Sequence, residues 1–220
     1  MSALAKSRIR PAEPVARWAQ RNEAKSVYDI LTSAFADDPA NRWMYPDDEQ
    51  YIRFFPAFAE AFGGEALIRG TAIMGEGGAG AALWLPPGVA PDTDAAVAVF
   101  EASVPTEKLA DLMVVFELMD NAHPQSPHWY LAWIGIDPAH QGRGLGSDLL
   151  QRCLEVIDSD HLPTFLDTPN PKTVPFYQRH GFDVVGEWAA GACPPVVSNA
   201  APSPLTKRSY ALHTGATFLR

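Results

Sequence analysis

The stretch 137-DPAHQGRGLGSDLLQ-151 decides the fold of this chain. Its three glycines stand at every second position: Gly142, Gly144 and Gly146. The run before it, 128-HWYLAWIGI-136, is aromatic and β-branched, which predicts a buried strand. The apolar residues after it recur at helical spacing: Leu149, Leu150, Cys153, Leu154 and Ile157. The sequence therefore predicts a strand, a glycine-rich turn and a helix in succession.

The composition narrows the classes of protein and partner. The chain has 220 residues, of which 47% are hydrophobic, so a normal core can form. Its net charge of −9 argues against nucleic acid or an anionic membrane as the main partner. No apolar run approaches ~18 residues, and the first ten residues lack an apolar stretch of signal-peptide length. We expect a cytoplasmic protein with no membrane span.

The metal-ligating residues are sparse. Two cysteines, Cys153 and Cys193, cannot make a four-ligand zinc site by themselves. The six histidines show neither HxxxH nor HExxH spacing. We therefore expect no metal cofactor.

The rest of the chain predicts one α/β domain over residues 1–220, α+β in some schemes, with a core of about 7–188. Strands are expected at 7–10, 66–74, 79–85, 164–167 and 182–188. Helices are expected over 21–38, from Pro46 to Gly63, over 94–120 with a break near Pro105, and over 174–180. Residues 189–220 are uncertain: 194-PPVVSN-199 is a weak strand candidate, and 198–204 reads as a loop.

A strand, a glycine turn and a helix start can hold a phosphate. Backbone N–H groups without intrahelical partners point outward there, and the helix dipole favours an anion. Glycines let the phosphate approach, and Arg143 could add a charge-assisted contact or simply lie in solvent. No lysine follows Gly146, which excludes a P-loop, and the GxGxG spacing departs from the dinucleotide fingerprint GxGxxG. On the glycines alone, a plain turn and a phosphate site remain open.

Three segments together resemble one family. The hexapeptide 141-QGRGLG-146 fits Q/R-x-x-G-x-G/A, the coenzyme A signature of the GNAT superfamily of N-acetyltransferases. Downstream, 169-PNPKTVPFYQRHGF-182 resembles the second signature of that family, with its Asn and Tyr. Upstream, 34-AFADDPANRW-43 is similar to the corresponding stretch of puromycin N-acetyltransferase and its relatives. The resemblance covers roughly residues 7–188.

The resemblance implies the GNAT fold, a mixed sheet of about six to seven strands flanked by helices. Strands 128–136 and 164–167 would splay apart to admit acetyl-CoA. The backbone of Ile134, Gly135 and Ile136 would pair with the pantetheine arm, and Asn170 would contact the coenzyme near it. The pyrophosphate would be held by the backbone amides of Gln141, Gly142, Arg143, Gly144, Leu145, Gly146 and Ser147.

The implied reaction is acetyl transfer from acetyl-CoA to a primary amine. Tyr177 would protonate the leaving thiolate, although a core aromatic beside Phe176 is the plainer interpretation of the residue. A general base would neutralise the amine. Its candidates are His128, Asp137 and Glu117, or a bound water. Asp137 equally suits a turn before Pro138.

The acceptor is less determined. Acidic and aromatic residues suited to a cationic amine crowd one segment: Asp37, Asp38, Trp43, Tyr45, Asp47 and Asp48. The acids equally suit helix caps, and Trp84 and Trp133 could be pocket walls or core. A small-molecule acceptor leads; a protein or peptide acceptor and a non-catalytic acyl-CoA sensor are the alternatives. We expect a monomer or a homodimer.

Overall fold

The computed structural model describes residues 16–203, in which one mixed sheet of seven strands carries the fold. The strands are β1 Ala16–Trp18, β2 Ala72–Gly75, β3 Gly80–Leu85, β4 Trp129–Ile136, β5 Thr164–Thr168, β6 Asp183–Trp188 and β7 Val196–Ala201. Their order across the sheet is β1-β2-β3-β4-β5-β7-β6. β4 and β5 are parallel, and the other neighbours are antiparallel. The predicted fold class is confirmed.

Eight α-helices cover the two faces of this sheet within the described range. They are α1 Ala24–Ala34, α2 Pro39–Met44, α3 Asp48–Gly63, α4 Glu65–Arg69, α5 Thr93–Ser103, α6 Thr106–Ala122, α7 Leu145–Ile157 and α8 Val174–Arg179. α7 buries its predicted apolar stripe against β2, β3 and β4. α1 and α3 pack on the opposite face of the sheet, against β3 and β4. None of the helices in residues 16–203 is long and apolar enough to cross a membrane.

Two boundaries differ from the sequence prediction. Residues 66–69 lie in α4 and not in a strand. Their burial pattern is that of a helix, because the adjacent residues Ala66 and Leu67 are both buried while Ile68 is half exposed. Gly70 then ends the helix at φ 73°, a left-handed conformation that glycine adopts without strain. The helix predicted over 21–38 stops at Ala34, and α2 starts at Pro39. The strand predicted at 7–10 lies outside the described residues.

The C-terminal strand corrects the prediction of a loop from Ser198. β7 lies between β5 and β6 and pairs with both. A strand paired on both edges and buried on both faces needs no apolar–polar alternation, which is why its small residues gave a weak signal. Ser198 and Asn199 are fully buried in it.

The central feature of the sheet is the divergence of β4 from β5. The two strands pair through only three residue couples, the last of them Leu131 with Leu166. Beyond that point β4 runs on to Ile136 beside β3, and β5 runs on to Thr168 beside β7. The β3–β4 register shifts between Leu83 and Trp84, which leaves Ala132 as the additional residue of a bulge. Because a bulge bends its strand, β4 turns away from β5 at this point.

Candidate functional site

A cleft of about 560 Å³ opens where β4 and β5 diverge. Its walls are the end of β4, the glycine turn, the start of α7, the end of β5 and α8. The predicted site residues that line it are Ile134, Gly135, Ile136, Gln141, Gly142, Gly144, Leu145, Gly146, Ser147, Asn170 and Tyr177. Arg143 does not line it; its guanidinium donates to the Ala139 carbonyl at 3.3 Å. Residues from four separate parts of the chain thus meet in one cleft.

The glycine turn delivers unpaired amides to this cleft. Gly142 and Gly144 have φ values of 75° and 83°, which favour glycine, and Gly144 is the N-cap of α7. The first intrahelical bond of α7 is donated by the amide of Asp148 to the Gly144 carbonyl. The amides of Leu145, Gly146 and Ser147 therefore lack intrahelical acceptors. A helix start of this kind suits an anion.

The other two glycines of the site, Gly146 and Gly135, do not have a left-handed backbone conformation, and they differ in the space around them. A Cβ on Gly146 would only reach ordinary contact with Ile136 and Phe176, at 3.6 Å or more. A Cβ on Gly135 would lie 2.6 Å from that of Ala34, so this glycine lets α1 pack tightly on β4. The spacing GxGxG therefore contains two conformational requirements, at Gly142 and Gly144, and one position where a methyl group fits.

Asp137 and Asn170 hold the turns that flank the cleft. The Asp137 carboxylate accepts from the Ala139 amide at 2.9 Å and from Ser33 Oγ at 2.9 Å. These hydrogen bonds lower the pKa of Asp137, so it remains an anion engaged in structure and is a poor general base. Asn170 Oδ1 accepts from the Lys172 amide at 3.2 Å, which caps the turn after β5.

Tyr177 lies in the wall of the cleft with 7% of its surface exposed. α8 holds it, and its ring packs against Phe176 and Phe182 with centroid distances of 5.1 and 6.0 Å. Burial raises the pKa of the Tyr177 hydroxyl well above its ordinary value, and the nearby charge of Asp38 raises it further. The hydroxyl is therefore protonated at neutral pH, and it holds its proton more tightly than an ordinary tyrosine does.

Asp38 is the acidic residue that the structure places deepest in the site. It caps α2: its Oδ1 accepts from the amides of Ala40 and Asn41 and from Asn41 Nδ2, at 3.0, 3.2 and 3.3 Å. Burial raises its pKa to about 6, against the lowering effect of the backbone hydrogen bonds. Asp38 also lines two cavities, the cleft just described and a second one beyond it.

The other residues predicted for acceptor binding divide between surface and core. Asp37 lines the cleft from its exposed rim. Asp47 caps α3 in solvent, and Asp48 forms an ion pair with Arg42. Tyr45 is fully buried, with its hydroxyl 2.9 Å from Ser103 Oγ, and Trp43 is half-buried. Asp47 and Asp48 therefore serve the fold, as the capping alternative predicted.

The second cavity, here the inner chamber, has a volume of about 70 Å³. Five of its wall residues carry aromatic rings: Phe58, Phe62, Phe116, Tyr130 and Trp133. Asn41 also lines it; this side chain is 2% exposed, and its Oδ1 has no hydrogen-bond partner among residues 16–203. Trp133 is thus a chamber wall, whereas Trp84 is core, packed on the α7 side of the sheet.

A third cavity of about 680 Å³, the outer cleft, lies between the segments 88–97, 113–120 and 123–130. Two of the proposed general bases, Glu117 and His128, line it. It is bounded by residues other than those of the cleft between β4 and β5. Glu117 and His128 are thereby separated from Tyr177.

Sequence reasoning missed a buried polar network behind the inner chamber. Asp167, at the end of β5, accepts from Tyr130 at 3.2 Å and from Ser198, and lies 3.1 Å from His123 Nε2. The signal was present in 164-TFLD-167, where a carboxylate follows directly on a buried strand. Its partners come from α6, β4 and β7, which no local pattern connects.

The chain is similar to known proteins in sequence and in structure. An uncharacterized N-acetyltransferase of Schizosaccharomyces pombe is 22% identical over 187 residues, which are 76% of this chain and 73% of that protein. A crystal structure of histone acetyltransferase HPA2 and related acetyltransferase from Corynebacterium glutamicum gives a TM-score of 0.62 at 22% identity, over 86% of this chain and 96% of that one. Mosquito arylalkylamine N-acetyltransferase like 5b gives 0.58 at 14% identity, over 84% and 98%.

These solved structures share the fold. The family match extends over most of the chain, since residues 24–182 fit the description "Acetyltransferase (GNAT) family". That span runs from the start of α1 through β4, the glycine turn and Tyr177. The chain therefore belongs to the acetyltransferase (GNAT) family.

Proposed function

We propose that this acetyltransferase moves an acetyl group from acetyl-CoA to the primary amine of a small molecule, with Tyr177 as general acid. The observation that carries the proposal is the cleft itself. One opening between two diverging strands brings together unpaired helix-start amides, a free strand edge and a buried protonated tyrosine. Those are the groups that a polyanionic thioester and its leaving sulfur require.

The donor fits the cleft along its length. The unpaired amides of Leu145 to Ser147 would receive the pyrophosphate of acetyl-CoA. The edge of β4 beyond Leu131 is not paired with β5, so the peptide groups of Ile134 to Ile136 can pair with the amides of pantetheine. Arg179 lines the same cleft and supplies a positive charge near the phosphates. Backbone amides and the Arg179 guanidinium explain how a chain of net charge −9 would bind a polyanion.

Asp38 is our proposed general base. An alkylammonium must lose a proton before its nitrogen can attack the thioester. Asp38 borders both the cleft and the inner chamber, so it lies where donor and acceptor would meet. Its pKa of about 6 leaves it ionised at neutral pH but more basic than an ordinary aspartate. The hydrogen bonds of its cap occupy Oδ1, and Oδ2 is the oxygen left for the proton.

Acetyl transfer then requires the following changes in bonds and protons. One proton passes from the ammonium to Asp38, and the freed lone pair forms the C–N bond at the thioester carbon. Backbone N–H groups of β4 would stabilise the oxyanion. The C–S bond breaks with its electron pair on sulfur, which takes the proton of Tyr177. The second proton of the nitrogen restores the tyrosine, and Asp38 releases its own to solvent.

The small volume next to Asp38 favours a small molecule over a protein substrate. A protein acceptor needs an open groove in which a chain of residues can lie, whereas the space beyond Asp38 is a chamber of about 70 Å³ walled by aromatic rings. A non-catalytic sensor would bind acetyl-CoA without needing a proton donor at the sulfur. The buried hydroxyl of Tyr177 and the raised pKa of the Asp38 carboxyl favour an enzyme over a sensor.

Replacing Gly144 by Ala should weaken acetyl-CoA binding, because the left-handed φ of 83° strains any residue with a Cβ by roughly 1–2 kcal/mol. We expect the dissociation constant to rise by roughly 5- to 30-fold in isothermal titration calorimetry. Gly146→Ala is the matched control, since its methyl group meets only ordinary contacts. Equal effects of the two changes would contradict the role of the turn.

Replacing Tyr177 by Phe should lower kcat for amine-dependent thiol release by about 10²-fold, because the leaving sulfur loses its proton donor. The assay follows free thiol from acetyl-CoA with a panel of amines. Tyr28→Phe removes another buried hydroxyl, from α1, and should leave kcat unchanged. The acid role is lost if Tyr177→Phe keeps its kcat when chemistry limits the rate; the function itself is lost if the wild-type protein releases thiol with none of the amines.

The pH dependence of kcat/KM should show the ionisation of the Asp38 carboxyl. A base acts when deprotonated, so log kcat/KM should rise with pH, with an inflection near pH 6, and fall below it. Asp38→Asn should lower kcat/KM and abolish that inflection. Asp47→Asn, at an exposed helix cap, is the control and should keep the wild-type profile. An inflection near pH 6 that persists in Asp38→Asn would assign the base elsewhere.

A further inference from the structure

The three cavities adjoin one another through residues that line two of them. The inner chamber shares Asp38 with the cofactor cleft. At its other end it shares four lining residues with the outer cleft: Phe62, Phe116, Met119 and Tyr130. The cofactor cleft and the outer cleft share no lining residue within 16–203. The inner chamber is therefore the link between them.

The inner chamber is narrow and rigidly walled. A cavity of about 150 Å³ is known to bind benzene, and the chamber has about 70 Å³. Its aromatic walls are braced against one another: the Phe58 and Trp133 rings are 5.2 Å apart, and Phe62 and Phe116 are 5.9 Å apart, both edge to face. A chamber of this volume favours a slender chain over a ring or a branched carbon.

The end of the chamber nearest the cofactor has the chemistry of an ammonium site. Asn41 Oδ1 is buried without a partner, and an unpaired buried acceptor is costly unless a ligand donates to it. Asp38, three residues earlier, contributes a carboxylate at the same end. The aromatic faces along the chamber are compatible with a passing cation. An ammonium group would find one neutral and one negative oxygen there.

The charges of the outer cleft favour a particular charge on the remainder of the acceptor molecule, which is the part distant from the reacting amine. Glu117 and Asp120 stand one turn apart on α6, both exposed. The other titratable groups that line the outer cleft are His123, His128 and Tyr130. Neither lysine nor arginine lines this cleft or the inner chamber in the described part of the chain. Val114, 46% exposed, gives the cleft an apolar side. A negatively charged remainder would be repelled here, and a neutral or positive one accepted.

We infer that the acceptor is a primary amine at the end of an unbranched alkyl arm, whose remainder is uncharged or cationic. The remainder occupies the outer cleft, the arm threads the inner chamber, and the amine arrives at Asp38 and Asn41. The acceptor thus enters from the outer cleft, which shares no lining residue with the cofactor cleft within 16–203. This inference rests on the proposed acetyl transfer and adds the route and class of the acceptor.

A set of amines with one common arm tests the class. Thiol release would be measured with 1,6-diaminohexane, hexylamine, 6-aminohexanoate and 2-aminoheptane. We expect kcat/KM for the first two to exceed that for the anionic and the α-branched amines by at least about tenfold. Equal values across the set, or a preference for 6-aminohexanoate, would overturn the inference while leaving acetyl transfer intact.

Reversing the rim charges tests the route. In the double variant Glu117→Lys, Asp120→Lys we expect the preference to invert, with 1,6-diaminohexane losing and 6-aminohexanoate gaining about tenfold in kcat/KM. Glu155→Lys, exposed on α7, reverses one charge away from the route and should change neither value. Identical behaviour of the rim and control variants would place acceptor entry elsewhere.

Blocking the passage gives a second, independent test. Met119 lines both the inner chamber and the outer cleft, so Met119→Trp should lower kcat/KM for hexylamine at least tenfold with an unchanged dissociation constant for acetyl-CoA. Full activity in a folded Met119→Trp protein would overturn the route. If that variant fails to fold, the exposed rim variant decides.

Binding separates failure of the route from failure of the chemistry. Isothermal titration of the same amines into the protein saturated with coenzyme A requires no acetyl transfer. Binding of 1,6-diaminohexane that weakens in the rim variant supports the route even if no thiol is released, which would refute only the proposed reaction. Absence of binding by all four amines would overturn the route.

Discussion

The whole arrangement depends on the parallel pairing of β4 with β5 ending after three residue couples. Up to Leu131 and Leu166 the two strands satisfy each other's backbone groups. Past that point β4 is held only by β3, and β5 by β7, so each keeps a partner on its far side while an unpaired edge opens between them. Unpaired backbone groups in a folded core call for a partner, and in this protein that partner is proposed to be the pantetheine arm.

The bulge at Ala132 and the C-terminal strand make this opening possible. The bulge bends β4 away, while β7 gives β5 a new neighbour, so that β5 need not follow β4. Different residues then line the two sides of the gap. The glycine turn and Tyr177 of α8 line the cleft, and Trp133 and Asp167 line the inner chamber. One break in pairing therefore produces two compartments that meet at Asp38.

The buried carboxylate of Asp38 lowers the stability of the folded protein at neutral pH. Its pKa is raised from 3.8 to about 6 on folding because the carboxylate is buried. A carboxyl group that binds its proton more tightly in the folded state destabilises the fold by about 3 kcal/mol above pH 6, and this cost disappears below the unfolded pKa of 3.8. A helix cap alone does not require such burial, since Asp47 caps α3 in solvent. The contrast supports a chemical role for Asp38.

The parts of the site that are contiguous in sequence could be predicted. The strand, glycine turn and helix of 128–157, and the position of Tyr177, follow from local patterns and from the family resemblance. The proposed base could not be predicted, because Asp38 before Pro39 reads as an ordinary cap. Only the fold buries it and brings it near Tyr51 of α3 and Tyr177 of α8. β7 was only weakly indicated because a strand of small residues, paired on both edges, lacks alternation. The inner chamber draws its walls from six elements that only the fold brings together.

The most direct measurement of the central claim is amide hydrogen–deuterium exchange with and without coenzyme A. If the opening between β4 and β5 is the cofactor site, exchange should slow in the segments 132–136 and 141–148 and stay unchanged in 88–97 and 113–128, which border the outer cleft. Protection confined to the outer cleft, or absent from the glycine turn, would contradict the account.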